Sequence, residues 1–363
     1  MMTGWLLAAA LALSPEAAPL PPPPPVVAEA PVPAEQVMAI PAPLREALQA
    51  QVIDRSPRGT ARLQRLAAFL LGEDGLGIRY RHDADHTVAE VWRTREANCL
   101  SFTLFTIALA RAAGLDAYGQ EIARTLSWYS EGDTLYFSNH VNAGIRIAPH
   151  GYTIDVASDS VLTRDPPRRV DDRRLLANFY SNRAANLLAG GRLAEASAFI
   201  DAAFAADAGH ATTWNNAGVL QLRSGRPDLA ERDFLRAIEL DKRHDSAMMN
   251  LASLYATRGD EQRAAHYRKR IEHERERNPF HFFMRGTESE KRGDYADAAK
   301  QYRRAIQLYD EEHRFHFGLA RAYLHLGEPL KAGQALQRAH DLTKGDLRNR
   351  YQAKLDVLRR QMP

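Results

Sequence analysis

Glycine returns every 34 residues through the second half of this chain, at Gly191, Gly225, Gly259, Gly293 and Gly327. Ala196, Ala230, Ala264, Ala298 and Ala332 keep the same interval. So do Ala203, Ala237, Ala305 and Ala339, with Ile271 standing in the remaining place. Such a period constrains the fold more than composition does, because it marks one supersecondary unit that is copied and stacked. Most of these glycines follow an apolar-periodic stretch, such as Val219-Leu220 or Leu254-Tyr255. Each precedes another, such as Ala194-Glu195-Ala196 or Tyr295-Ala296-Asp297-Ala298-Ala299. The pattern predicts two helices per unit. Glycine ends the first, where a left-handed backbone costs it little, and the alanines let the second approach closely. One such hairpin cannot bury its apolar face alone, so copies must stack.

These units resemble the tetratricopeptide repeat. The resemblance is carried by Trp214-Asn215-Asn216-Ala217-Gly218 followed by Gly225, Ala230, Phe234 and Ala237. The phased copies number five over residues 176–346, with a polar capping helix over 347–363. The proline that usually closes each repeat is mostly missing; Asn278-Pro279 is the nearest match. The resemblance implies an all-α solenoid whose concave groove holds a protein or peptide ligand. Asn182, Asn216, Asn250 and Tyr255 are the groove candidates. Phe280-His281-Phe282-Phe283 and Phe315-His316-Phe317 read as core between repeats rather than as ligand contacts.

The first half is different. Trp5–Leu13 is an apolar run too short to span a bilayer, which needs about 20 residues, and it fits the h-region of a secretory signal over residues 1–18. Neither Lys nor Arg precedes it, and Pro15 crowds the expected cleavage site. A proline-rich stretch over residues 19–43 reads as an extended tether. The expectation is therefore a periplasmic or secreted protein with no membrane span in its mature form. Acidic and basic residues alternate through the repeats, and the formal net charge is only +3. That balance argues against a nucleic-acid partner. Cys99 is the single cysteine, so no intramolecular disulfide forms.

Residues 44–170 read as an α+β domain. Leu44–Ile53 and Thr60–Leu71 are helical in pattern. Thr87 and Glu90 form a capping box that opens a short helix. Leu100, Leu104, Phe105, Ala108, Leu109 and Ala112 have helical spacing, and Gly114 ends that helix. Cys99 therefore sits in its first turn, where free N–H groups and the helix dipole favour a thiolate and an oxyanion. Leu115–Thr125, Thr134–Phe137, His140–Ile147 and Tyr152–Val156 read as strands, which puts His140 and Asp155 on neighbouring ones. A His that takes the thiol proton and an Asp that orients the His make a nucleophilic site. The segment from His82 to His86 has two histidines four apart but precedes its helix and lacks a third ligand. It reads as a solvated loop rather than a zinc site, and no cofactor is expected.

Arg95-x-x-Asn98-Cys99-Leu-Ser, running on to Ala108-Leu109-Ala110-Arg111-x-x-Gly114-Leu115, resembles the core motif of transglutaminase-like domains. That family shares the papain-type fold. The resemblance implies a catalytic Cys99, His140 and Asp155 acting through a Cys thioester on an amide or ester, with Asn98 as oxyanion donor. Two features depart from the family. His140 is followed by Val141-Asn142-Ala143-Gly144 where an aromatic residue is usual, and Asn98 stands where a recognised second oxyanion donor is lacking. The expected architecture is thus multidomain: an α+β papain-like, transglutaminase-like domain, then an all-α tetratricopeptide-repeat solenoid. The competing expectation is a non-catalytic adaptor that keeps the triad but only binds proteins.

Overall fold

The computed structural model describes residues 29–72, 74–122, 128–131, 134–137, 140–156 and 167–361. The Trp5–Leu13 run lies outside them.

Ten helices pair into five hairpins, as the period demands. They are α6 (Asp172–Ala189) with α7 (Leu193–Ala206), α8 (Ala211–Arg223) with α9 (Pro227–Leu240), α10 (Asp245–Thr257) with α11 (Glu261–Arg275), α12 (Pro279–Lys291) with α13 (Tyr295–Leu308), and α14 (His313–His325) with α15 (Pro329–Asp341). The five phased glycines all have φ between +72° and +79°, a region that L side chains rarely adopt. The alanines of the first register are fully buried, and their small side chains let each helix pair close tightly. A last helix, α16 (Gly345–Gln361), buries Tyr351, Leu355 and Leu358 against the fifth hairpin and presents a polar outer face. Phe280 and Phe315 stack edge-on, 4.8 Å between centroids, and both are buried as inter-repeat core.

Ahead of the repeats lie α1 (Ala34–Val37), α2 (Ala42–Leu48) running on into a π turn at Gln49–Ile53, and α3 (Thr60–Leu71). β1 (Arg79–Tyr80) pairs in parallel with β2 (Glu96–Ala97), with α4 (Val88–Thr94) between them in sequence. The Thr87–Glu90 capping box is present in full. α5 (Cys99–Ala112) follows, and every side chain from Leu100 to Ala110 is buried. A helix apolar all round belongs in the middle of a domain. It packs on β3 (Asp116–Ile122) and β6 (His140–Ile147) on one side and on α3, α4 and α6 on the others. Those strands form an antiparallel sheet of order β7-β6-β3-β8, with β7 at His150–Ile154 and β8 at Arg168–Val170. β4 (Trp128–Glu131) and β5 (Thr134–Phe137) pair with each other.

Three features differ from the sequence expectations. The tether ends early: from Glu29 on, the chain lies against the first repeat. There the Tyr180 hydroxyl donates to the Val32 carbonyl at 2.6 Å, and Val37 is fully buried. Val37 and Leu44 are apolar side chains with a core within reach, which outweighs the extended preference of the prolines around them. A strand absent from the sequence reading, β8, forms directly after Pro166-Pro167 and adds to the sheet edge. Finally, one apolar cluster runs unbroken from Val37 to Leu220, so α6 belongs to the core of both regions.

Candidate functional site

Asn98 caps α5: its side-chain oxygen accepts the Ser101 N–H at 2.8 Å. Cys99 is therefore the first helical residue, and it is half-buried. Helix geometry leaves the first-turn N–H groups of Cys99 and Leu100 without intrahelical partners. The Thr103 hydroxyl lies against the carbonyls of Cys99 (2.7 Å) and Val141 (3.1 Å), which ties the start of α5 to the strand that carries His140.

His140 opens β6, and Asp155 follows β7, its neighbour in the sheet. His140 Nε2 lies 2.6 Å from Asp155 Oδ2, and the two side chains are only 6% and 8% exposed. Cys99 is close enough to the ring to favour its charged form. Burial opposes a charged imidazolium here, but the bond to Asp155 and the nearness of Cys99 outweigh it and raise His140 from 6.5 to about 9. Cys99, His140 and Asp155 are thus in one place, linked in the order thiol, imidazole, carboxylate. Asn142, two residues along β6 and on the same face as His140, donates to the same Asp155 oxygen at 3.3 Å. Its own Oδ1 is buried without a partner. The strand's period of two was the available sequence signal for Asn142.

The remaining candidates are placed otherwise than expected. The Asn98 amide donates to Asp85 at 2.6 Å and to the His82 carbonyl at 3.5 Å. Spent in this way, the expected oxyanion donor serves as a helix cap and a bridge. Nor is the segment from His82 to His86 simply a solvated loop, because Ala84 and Asp85 are buried. Among the described residues no three His, Cys, Asp or Glu side chains gather as a metal site. Asn182 points at Asp85 (3.1 Å). Asn216 donates to the carbonyl and hydroxyl of Ser181, both at 2.9 Å, and Asn250 donates to Asn215 at 2.9 Å. Tyr255 is buried and donates to Glu231 at 2.6 Å; burial and that carboxylate push its hydroxyl up to about 12. Asn216, Asn250 and Tyr255 hold helices together, and Asn182 ties α6 to the loop of Asp85.

Two surface clefts escaped the sequence reading. One surrounds Trp214, with Glu231, Arg232, Leu235 and Arg236. The other surrounds Phe282, with Arg285, Lys300, Arg303 and Arg304. Trp214 and Phe282 occupy equivalent places two repeats apart, so the offset of the glycine period was the signal that would have found them.

The second half contains tetratricopeptide repeats: a family model of the repeat matches residues 215–275 and 283–346. Solved structures with similarity to the chain include YrrB, described as "a TPR protein with an unusual peptide-binding site". It is 20% identical, with 49% of this chain and 92% of that one covered and a TM-score of 0.26. Pseudomonas aeruginosa PilF is 15% identical over 51% and 93% of the two chains, with a TM-score of 0.28. A MamA protein is 17% identical over 46% and 91%, with a TM-score of 0.25. No curated protein sequence matches this chain. Tetratricopeptide repeats are units that bind peptides or proteins. Among the described residues, no helix is long and apolar enough to cross a membrane.

Proposed function

We propose that the protein is an exported cysteine enzyme of the transglutaminase-like kind, carried on the repeat scaffold that recruits its protein substrate. One observation carries the reading: a half-buried cysteine at the start of a buried helix shares a histidine with a buried aspartate 2.6 Å away. In this reading the His140 imidazole, which is charged below about 9, already holds the proton given up by the thiol, and Cys99 Sγ attacks an amide or ester carbonyl. The carbonyl oxygen gains charge beside the backbone N–H groups of the first turn of α5. His140 then returns the proton to the departing amine or alcohol, leaving a thioester on Cys99. Water, deprotonated by the same imidazole, attacks the thioester and restores the thiol; an attacking amine gives acyl transfer instead. Asp155 keeps the imidazole in the right tautomer and offsets its charge.

The test is labelling of Cys99 with a thiol-directed acyl probe, in the unaltered chain and in His140→Ala. Rapid acylation that depends on His140 supports the enzyme. Equal rates in both proteins would withdraw it. The second reading, a binding adaptor whose α+β region only docks, is favoured by the repeat match and predicts such equal rates. Export rests on the Trp5–Leu13 run. A reporter fused after residue 60 and silent outside the cytoplasm would remove that part.

A further inference from the structure

Beyond the triad, the described structure buries a well-connected carboxylate that the proposed chemistry does not use. Asp85 is 5% exposed, and three amides from two regions converge on it. Oδ1 accepts from Asn98 (2.6 Å) and Asn182 (3.1 Å), and Oδ2 accepts from Asn186 (2.8 Å). Asn98 is the cap of the helix that Cys99 begins, whereas Asn182 and Asn186 lie one turn apart on α6, the first helix of the repeats. The same loop is sewn to the helix start a second time. Ser101 Oγ donates to the Ala84 carbonyl at 2.8 Å and accepts the His86 N–H at 2.7 Å. Burial raises Asp85 above the usual carboxylate range, while its amide partners and the charge of Arg183 pull the other way.

A buried carboxylate is a poor source of stability compared with apolar packing of the same volume. What it supplies is geometry, since each of its bonds has a direction and leaving one unmade is costly. Here the bonds fix the depth and rotation of the first turn of α5. Thr103 fixes the opposite side of that turn to the strand of His140. The thiol is therefore aligned with its imidazole between two clamps, and one of them belongs to the repeats.

We infer that Asp85 is a positioning residue through which the first repeat sets the Cys99–His140 alignment, making the repeat array part of the catalytic unit. This rests on the enzyme reading above. A protein bound by the repeats has, in α6, a direct mechanical route to the nucleophile.

The chain's single cysteine makes iodoacetamide alkylation of the full-length protein a report on Cys99 alone. Asp85→Asn places an amide against three amides. It should slow alkylation near neutral pH by roughly tenfold, the scale on which small misplacements far from the chemistry act. It should also remove the further effect of His140→Ala. Adding Asn182→Asp returns one carboxylate to the cluster from the repeat side and should restore both the rate and its pH profile. Wild-type rate and profile in folded Asp85→Asn would overturn the inference. So would a charge swap that recovers the melting temperature without the rate, since Asp85 would then be a brace only. Should Asp85→Asn fail to fold, Asn182→Ala with Asn186→Ala keeps the Asp85–Asn98 bond. That pair should slow alkylation severalfold, and a folded pair with wild-type rate overturns the inference equally. An unaltered rate in His140→Ala alone would strike the enzyme reading itself. A His140-dependent rate that ignores Asp85 would strike only the coupling.

Discussion

The repeats and the α+β region bury polar side chains in opposite ways. In the repeats the asparagines reach one unit back: buried Asn216 bonds Ser181, and half-buried Asn250 bonds buried Asn215, each 35 residues away. In the α+β region the partners of a single carboxylate lie 13, 97 and 101 residues away. The first arrangement is a by-product of stacking, repeated because the unit is repeated. The second occurs once, beside a cysteine, and no stacking rule requires it. Buried polar groups that periodicity explains hold the stack together; those that it does not explain gather beside Cys99.

The sharpest way to break this contrast is to change one atom on each side of it. Cys99→Ser should lose about a thousandfold or more of any hydrolytic or acyl-transfer rate, because a hydroxyl is a far poorer nucleophile in a site arranged for a thiol. Its circular dichroism and melting should match those of the parent. Retained turnover would return the α+β region to the role of a docking module.

Next in size is Ala230→Trp, at a fully buried contact between α8 and α9. Overpacking there should cost about 1–3 kcal/mol of array stability. Denaturant melts measure it, and they should leave the alkylation rate of Cys99 unchanged. An equal loss of thiol reactivity would mean that the second repeat, too, is wired to the site.

A smaller effect is expected at the turns. At Gly225 a Cβ would meet no neighbour within 4 Å, but φ is +73°. Gly225→Ala should therefore cost only the backbone term, about 1 kcal/mol. Because the five turns are equivalent, the same substitution at Gly259 should cost the same. A large difference in melting between the two variants would show that the units are less alike than their geometry.

A further effect is in pH. His140 is raised from 6.5 to about 9 in the folded chain. A group raised on folding contributes stability that is fully present below its unfolded value. That contribution is lost as pH rises through the folded one. The chain should therefore lose a part of its stability between about pH 6.5 and 9. His140→Ala should flatten the pH dependence of melting in that window. Identical profiles for the two proteins would mean that the imidazole is not charged in the fold.

Much of this was legible in the residues. The glycine and alanine registers gave the hairpins. The Thr87–Glu90 box gave the start of α4, and helical spacing after Cys99 gave α5 with the cysteine at its head. His140 and Asp155 were readable as strand neighbours. What escaped were partners far apart in sequence. Asp85 looked solvated because its loop is polar, Asn98 looked like an oxyanion donor because it adjoins Cys99, and Asn182 looked like groove because it lies in a repeat. Arg168–Val170 was hidden by the prolines before it.

The sequence by itself determined the elements, since helix ends, strand alternation and the 34-residue period are written in neighbours a few residues apart. Only the tertiary structure decided where the repeats meet the α+β region. It bends residues 29–44 back onto α6, merges the α+β region and the first repeat into one apolar cluster, and brings Asn182 and Asn186 to Asp85. The physical reason is that burial acts on whichever surfaces meet, irrespective of chain distance. A carboxylate enclosed in that way must take its hydrogen-bond donors from whatever the packing has placed around it.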